Sequence, residues 1–470
     1  MEAKETISKE QEEILKEKTR KISIRDGSAY GVMDGFGLRY ITPYALHLGA
    51  SNAQIGFLTS IPALIGNFLQ MFISRAMEKY SRKKILMFGV LMQTLMWLPL
   101  IGIGFLFFYG KLDSIASANL VVIVYSLIVI FAAFVAPTWN SLMRDVVTKD
   151  IGTYFGKRNR IVGAFVMVSL LIGSFILDYF KKTNIFWGFV IIFGIAFFAR
   201  VISWLTLRKH YEPELKLQKG YYFNFRQFLS KIPQSNFGKF ALFVGLMMLA
   251  TSIAAPFFTV YMLKELHFSY VTWMAITIVS SITSLLFMPL WGKIADKHGN
   301  LSIIKITGAL IPFVSLLWIA APLILPLSHT GLIVYLLAIE ALSGIAWSGF
   351  NLCVANFVFD AVTRERFPIC LAYSNILNGI GVFIGATLGG IISSLNFSFG
   401  WISPLIFIFL LSGVARTMVY VFMIPQIKEV RKTENKDENE IGKELRDGFV
   451  NEIRSGISGF TSKITKPWST

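Results

Sequence analysis

The chain has 470 residues, of which 54% are hydrophobic and only 16% charged, with a formal charge of +17 and a mean hydropathy of +0.60. A soluble chain carries about 25% charged residues, so the composition excludes an ordinary soluble domain and indicates an integral membrane protein. The two cysteines, Cys353 and Cys370, sit in apolar stretches and suggest neither a disulfide framework nor a zinc cluster.

Residues 1–27 are polar, with no apolar centre and no small-residue cleavage site, so no signal peptide is expected and the segment reads as a polar cytoplasmic helix. A spanning helix needs about 20 mostly apolar residues. Twelve such runs follow, near 28–48, 53–74, 85–108, 119–143, 160–180, 185–207, 238–263, 269–291, 302–325, 331–358, 367–394 and 400–424. No series of short alternating segments suggests a barrel, so an all-α membrane protein is predicted. The last segment, 425–470, repeats apolar residues at helical spacing from Ile441 to Ile464, with Lys443, Arg446, Arg454 and Lys463 among the polar remainder. It reads as an amphipathic helix on the membrane surface.

Lys and Arg orient these runs. With the N-terminus inside, the cytoplasmic segments hold 37 of the 45 basic residues and the opposite loops hold 4. Both termini are therefore expected in the cytoplasm of a cell-membrane protein. The positive charge is then accounted for by this bias and by attraction to anionic lipid on that side, not by nucleic acid.

The polar stretch 208–237 divides the runs six and six, and the halves repeat weakly. Glu78 aligns with Asp296 at a separation of 218, "DVVTKD" with "DAVTRE" at 215, and Arg200 with Arg416 at 216. Three anchors in order predict two related six-helix bundles, 28–207 and 238–424, joined by a cytoplasmic loop; such repeats are common in transporters.

With the repeat established, the loop "GKIADKHGN" after the eighth run becomes informative. It resembles the charged signature of the major facilitator superfamily in Gly292, Asp296, Lys297 and Gly299. The first copy, "SRAMEKYSRKK", is degenerate: Ser74 and Glu78 replace Gly and Asp, while Arg82 and Lys83 keep the basic end. The resemblance covers about residues 28–425 and implies twelve helices in two pseudo-symmetric bundles. It also implies a secondary transporter working by alternating access, with Glu78, Arg82, Lys83, Gly292, Asp296, Lys297 and Gly299 as a cytoplasmic gate. Other segments depart from the drug–proton antiporters, which carry a Gly-Pro near the end of helix 5 and an Arg in helix 4. "LRKHYEPELK" and "MIPQIKEV" also match the sugar-porter segments poorly.

No nucleophile elbow, phosphate loop or metal-ligand cluster is present in the sequence, so neither an enzyme nor a cofactor is expected. Gly381, Gly385 and Gly389 recur at four-residue steps, which is a helix-packing pattern. Ionisable residues inside spans each cost roughly 2.5–3.5 kcal/mol on insertion scales and so need a reason. Arg200 and Arg416 form a repeat pair and are expected to be structural, snorkelling or pairing with Asp145 and Asp360. Asp34, Arg39 and Glu340 have no charged repeat counterpart and are the candidates for substrate binding or proton coupling. Asp34 and Arg39 are five apart, about 140° around a helix, so each is expected to have a different partner. Tyr40, Tyr44, Trp139, Asn140, Tyr261, Trp347 and Asn351 are the candidate cavity lining, suited to an organic solute with apolar faces. The expectation is a monomeric transporter of a small organic solute, with protons as a candidate coupling ion. The alternative is a non-transporting receptor or scaffold on the same fold.

Overall fold

The computed structural model describes residues 9–149, 151–213, 224–363, 366–397 and 400–431. In hydrocarbon a backbone N–H or C=O has no water partner, so apolar runs of this length close their hydrogen bonds internally as helices. The described residues accordingly form helices and no strands. In chain order they are α1 (Lys9–Phe36), α2 (Ile41–His47), α3 (Asn52–Leu69), α4 (Ile73–Lys79), α5 (Arg82–Leu95), α6 (Trp97–Phe108), α7 (Ser114–Val146), α8 (Ile151–Lys181) and α9 (Ile185–Leu207). The second half continues with α10 (Phe225–Lys231), α11 (Asn236–Ser252), α12 (Phe257–Val260), α13 (Tyr270–His298), α14 (Asn300–Leu317), α15 (Ala321–Ile324), α16 (His329–Ala361), α17 (Phe367–Ser393) and α18 (Pro404–Met423).

Short polar turns stop and restart the chain, and their side chains cap the new helix. Ser51 and Gln54 form a capping box at α3. Asp113, Asn184, Ser235, Ser328 and Ser403 each accept a backbone N–H of the helix that follows. Among the described residues, ten helical stretches are long and apolar enough to cross a membrane. Phe198, Phe175 and Phe422 stand exposed along them, as side chains facing lipid would.

The first two expected spans have a different form. Residues 9–27 are not a separate surface helix: α1 runs unbroken from Lys9 to Phe36, and its polar part buries Thr19, Ser23 and Asp26. α1 packs against α8 and α9. The second run is interrupted by a 3-10 turn at Gln70–Phe72 before α4. Interruptions also fall at equivalent places in the repeat. α1 stops at Gly37–Tyr40, and the helix that begins with α11 stops at Ile253–Pro256, 216 residues on. The C-terminal stripe from Ile441 to Ile464 lies outside the described residues.

The chain divides into two compact units. The first is drawn from Met1–Lys219, Pro256–Met274 and Val382–Ser394, the second from Gly220–Ala255, Ala275–Gly381 and Leu395–Thr470. In the second, α13 meets α16 at Gly344, where an added β-carbon would lie 2.1 Å from the Ser280 carbonyl oxygen. α11 meets α17 at Gly381, where the corresponding distance to the Gly245 carbonyl is 2.2 Å. Small residues thus let backbones touch where lipid supplies no hydrophobic drive. Gly344→Ala is expected to cost about 1–3 kcal/mol by overpacking, read as a lower unfolding temperature in detergent; an unchanged midpoint would show that these helices separate freely.

Candidate functional site

The site begins at the interruption after α1. Gly37 leaves the helical region (φ −111°, ψ −79°), and a side chain there would collide with Trp97, whose ring lies 2.3 Å from the place of a β-carbon. One 3-10 turn, Leu38–Tyr40, follows before α2. This irregular turn removes the angular offset that a straight helix would impose. Contrary to the expectation of separate partners, Arg39 Nη2 donates to Asp34 Oδ2 at 3.4 Å. That distance is long for an ion-paired hydrogen bond. The Arg39 side chain is 51% exposed, and it meets no other acceptor among the described residues.

A second polar cluster lies nearby in the same unit. Arg200 donates to Ser203 Oγ at 3.0 Å and to Gln93 Oε1, and Ser203 Oγ donates to Asp26 Oδ1 at 2.6 Å. The Arg200 guanidinium also lies over Tyr30, 5.2 Å from its ring centre. Arg158 stacks on Trp139 at 4.1 Å and donates to the Ser23 carbonyl and hydroxyl. Arg416, buried in the second unit, donates to the carbonyls of Ile311 and Thr251. The expected pairing of Arg200 and Arg416 with Asp145 and Asp360 is therefore corrected. Both arginines are held within the bundle interior, while the two aspartates sit at helix ends and find partners there.

Glu340, on α16, lies beside the Ser280 hydroxyl of α13. The close approach at Gly344, one turn further on, brings those helices together. Of the candidate lining residues, Tyr40 and Tyr44 are fully buried, their hydroxyls donating to the carbonyls of Leu170 and Leu100, and Tyr261 is buried as well. These tyrosines pack helices; they do not face an open space. Trp139 and Trp347 are half-buried, and Asn140 and Asn351 are exposed.

The signature loops show a repeated device. In the first unit, Arg82 opens α5 with its side chain fully buried. It donates to Asp145 Oδ2 at 2.6 Å, to the Ser141 carbonyl at 3.0 Å and to the Pro213 carbonyl at 2.7 Å. Its own backbone N–H donates to Glu212 Oε1 at 2.6 Å. In the second unit, Asn300 opens α14 and donates to Asp360 Oδ2 at 2.7 Å, while the N–H of Leu301 donates to Glu429 Oε2 at 2.7 Å. Each half thus anchors one helix start twice: to an aspartate at the end of α7 or α16, and to a glutamate from the segment after α9 or α18. A carboxylate suits a helix N-terminus through its free N–H groups and dipole.

Gly299, at φ +87°, supplies the left-handed turn before α14, whereas Gly292 has room for a side chain. Asp296 is exposed and pairs with Arg431 at 3.0 Å. Glu78, Lys297 and Lys83 complete the loops, and Lys83 Nζ donates to the His210 carbonyl at 2.9 Å. His210 is buried with no hydrogen bond to either ring nitrogen. Burial first, then the neighbouring Lys83, pushes its pKa down to about 4. The reasoning from sequence missed Asp26, Arg158, Glu212 and Glu429; the last two lie 217 apart, in register with the repeat, which was the available signal.

At the other ends of the helices, the first unit holds a further set of bonds. Asp178, at the end of α8, accepts the N–H groups of Tyr270 and Val271 at 2.9 and 2.8 Å, capping α13 with both oxygens. Asn52 donates to the Ser393 carbonyl at 2.8 Å, and Ala53 N–H to Ser394 Oγ at 2.9 Å. Gly56 and Gly390 let α3 and α17 meet backbone to backbone.

A helical membrane chain with charged turns and interrupted helices is the architecture of a solute carrier, and the sequence profile of one such family fits it. The Major Facilitator Superfamily profile matches residues 29–316 and 240–469, and the chain belongs to that family. It is a multi-pass membrane transporter and not an enzyme. A crystal structure of the nucleoside transporter NupG is similar at TM-score 0.64 and 14% identity, covering 88% of this chain and all of the other. An inward-facing bacterial homologue of the iron transporter ferroportin is similar at 0.62 and 12%, covering 87% of this chain and 98% of the other. An inward-facing bacterial homologue of the human lysosomal transporter Spinster is similar at 0.52 and 16%, covering 89% and 96%. No curated protein matches the chain in sequence.

Two tests follow from the anchored turns. Arg82→Gln strands one carboxylate and two carbonyls and is expected to cost about 2–3 kcal/mol, whereas Asn300→Ala, which removes one neutral donor, is expected to cost about 1 kcal/mol. Equal shifts in thermal unfolding would contradict the asymmetry. For His210, the unfolded chain binds a proton below about pH 6.5 and the folded one only below about 4, so stability is full above pH 6.5 and falls as pH drops toward 4. On the order of 3 kcal/mol is at stake. His210→Gln is expected to flatten the acid limb of a stability–pH profile, and an unaltered limb would refute this.

Proposed function

We propose that the chain is a secondary transporter that carries a small organic solute by alternating access of two six-helix halves, 28–207 and 238–424. In this reading both termini are cytoplasmic, the protein is a monomer in the cell membrane, and anionic lipid meets its basic face. Asp34, Arg39 and Glu340 contact cargo, and Asp34 or Glu340 carries a coupling proton. The loops around Arg82 and Asp296 form the cytoplasmic gate.

The observation that carries the reading is the small set of polar bonds made by Asp178, Asn52 and Ala53. They fasten the starts or ends of α13 and α17 to α8 and α3, and each net bond is worth only about 1 kcal/mol between neutral groups and about 1.5–3 kcal/mol at the Asp178 carboxylate. A closure of this kind can open and re-form within a transport cycle. Interruptions at equivalent places in the repeat also suit transporters, where irregular backbone marks the binding region. Fold alone does not choose the cargo, since the neighbours named above include a nucleoside transporter and an iron transporter homologue. Among the described residues no three His, Cys, Asp or Glu side chains converge as metal ligands, which favours an organic cargo.

The test uses the full chain in proteoliposomes, with Cys353 and Cys370 changed to serine and a single cysteine at the buried Ile55 on α3. Asp178→Ala is expected to raise labelling by a membrane-impermeant maleimide several-fold. Unchanged labelling in a protein that still carries solute would overturn this account of the closure. Solutes that stabilise the protein in a thermal-shift screen should show flux; binding without any flux sinks the transport reading. Gradient-driven uptake that survives both Asp34→Asn and Glu340→Gln removes the proton-coupling assignment.

A further inference from the structure

We propose that the Asp34–Arg39 pair holds the place of a zwitterionic cargo of the α-amino-acid type, whose carboxylate takes Arg39 and whose ammonium takes Asp34. The inference rests on the transport reading above and specifies its substrate class.

The arginines placed in spans differ in their partners. Arg200 and Arg416 are buried, and each has two protein acceptors. Arg39 is half exposed, and one 3.4 Å contact uses a single donor of its guanidinium fork. The other N–H groups are left for a carboxylate, which the planar fork matches with two parallel bonds. Asp34 is the complement: its side chain is only 16% exposed, and its second oxygen has no protein donor among the described residues.

Charge balance then narrows the cargo. The pair is neutral as it stands. A simple anion on Arg39 would strand the buried Asp34 without its partner, which is the costly outcome, and a simple cation on Asp34 would leave the guanidinium fork of Arg39 without a carboxylate. A solute carrying both charges parts the pair and satisfies both members. The two groups are 3.4 Å apart, so the solute's own charges must be close together, as they are on an α-amino acid.

The backbone supports the same assignment. Gly37 and the 3-10 turn place Arg39 where the helix is interrupted, which is where transporters bind solutes. Tyr30 and Tyr125 lie within electrostatic range of Asp34. The equivalent interruption, Ile253–Pro256, has no charge, so the recognition is one-sided.

The experiment is thermal unfolding of the purified full chain with a matched panel: the standard α-amino acids, their carboxamides (cations), their deaminated carboxylates (anions) and neutral nucleosides. At least one amino acid is expected to stabilise the protein, with its carboxamide and its deaminated acid inactive. Arg39→Gln and Asp34→Asn should each weaken that amino acid roughly 30-fold or more. The double variant, neutral again, should fold as well as the parent, which separates lost binding from lost structure. Stabilisation by carboxamides, simple carboxylates or nucleosides, stabilisation by no amino acid, or a hit that survives Arg39→Gln overturns the proposal. A neutral solute that binds and is carried leaves the transport reading intact and sinks this one. An amino acid that binds through both residues without flux does the reverse.

Discussion

The controlling constraint is that hydrocarbon cannot hydrogen-bond a peptide group. Every span must satisfy its own backbone, so each departure from regular helix has to be sheltered by neighbouring protein. The interruption at Gly37–Tyr40 meets this condition. Trp97 fills the space a side chain would need, Tyr40 and Tyr44 bond to carbonyls of α8 and α6, and α2 resumes at once. The charged pair exists only because this shelter allows the irregular turn. The site and the packing around it are therefore one feature.

A second economy is the double use of carboxylates at helix starts. Asp178, Glu212 and Glu429 each accept backbone N–H groups of a helix that lies far away in sequence. Each bond fixes a helix end and, at the same time, ties two distant stretches of chain together. The repeat keeps the device while changing its chemistry: a buried Arg82 in one copy is Asn300 in the other. In the first copy Arg82 gathers three acceptors, and in the second Gly299 makes the turn.

Much of this was legible in the sequence. The apolar runs, the charge bias, the signature loop and the repeat identified a helical transporter and its family. Single residues were less legible, for definite reasons. The spacing of Asp34 and Arg39 argued against a pair, since the angle was taken from a straight helix; Gly37 breaks it. Tyr40 and Tyr44 read as cavity residues because periodicity gives a face and not a depth. Arg200 found Gln93 and Ser203, neutral partners that a search for opposite charges passes over. Asp26 was set aside as part of a polar leader, although α1 carries it into the bundle.

The carboxylates of Glu212 and Glu429 have a mechanical consequence. Each stands just before a polar stretch of sequence: Glu212, with Pro213, is held at Arg82 ahead of the linker, and Glu429, with Arg431, is held at Leu301 and Asp296 ahead of the C-terminal segment. A pull on Glu212 or Glu429 therefore acts directly on the first turn of α5 or α14. Glu212 and Glu429 thus have a direct grip on the loops that the family signature marks, like a pair of reins.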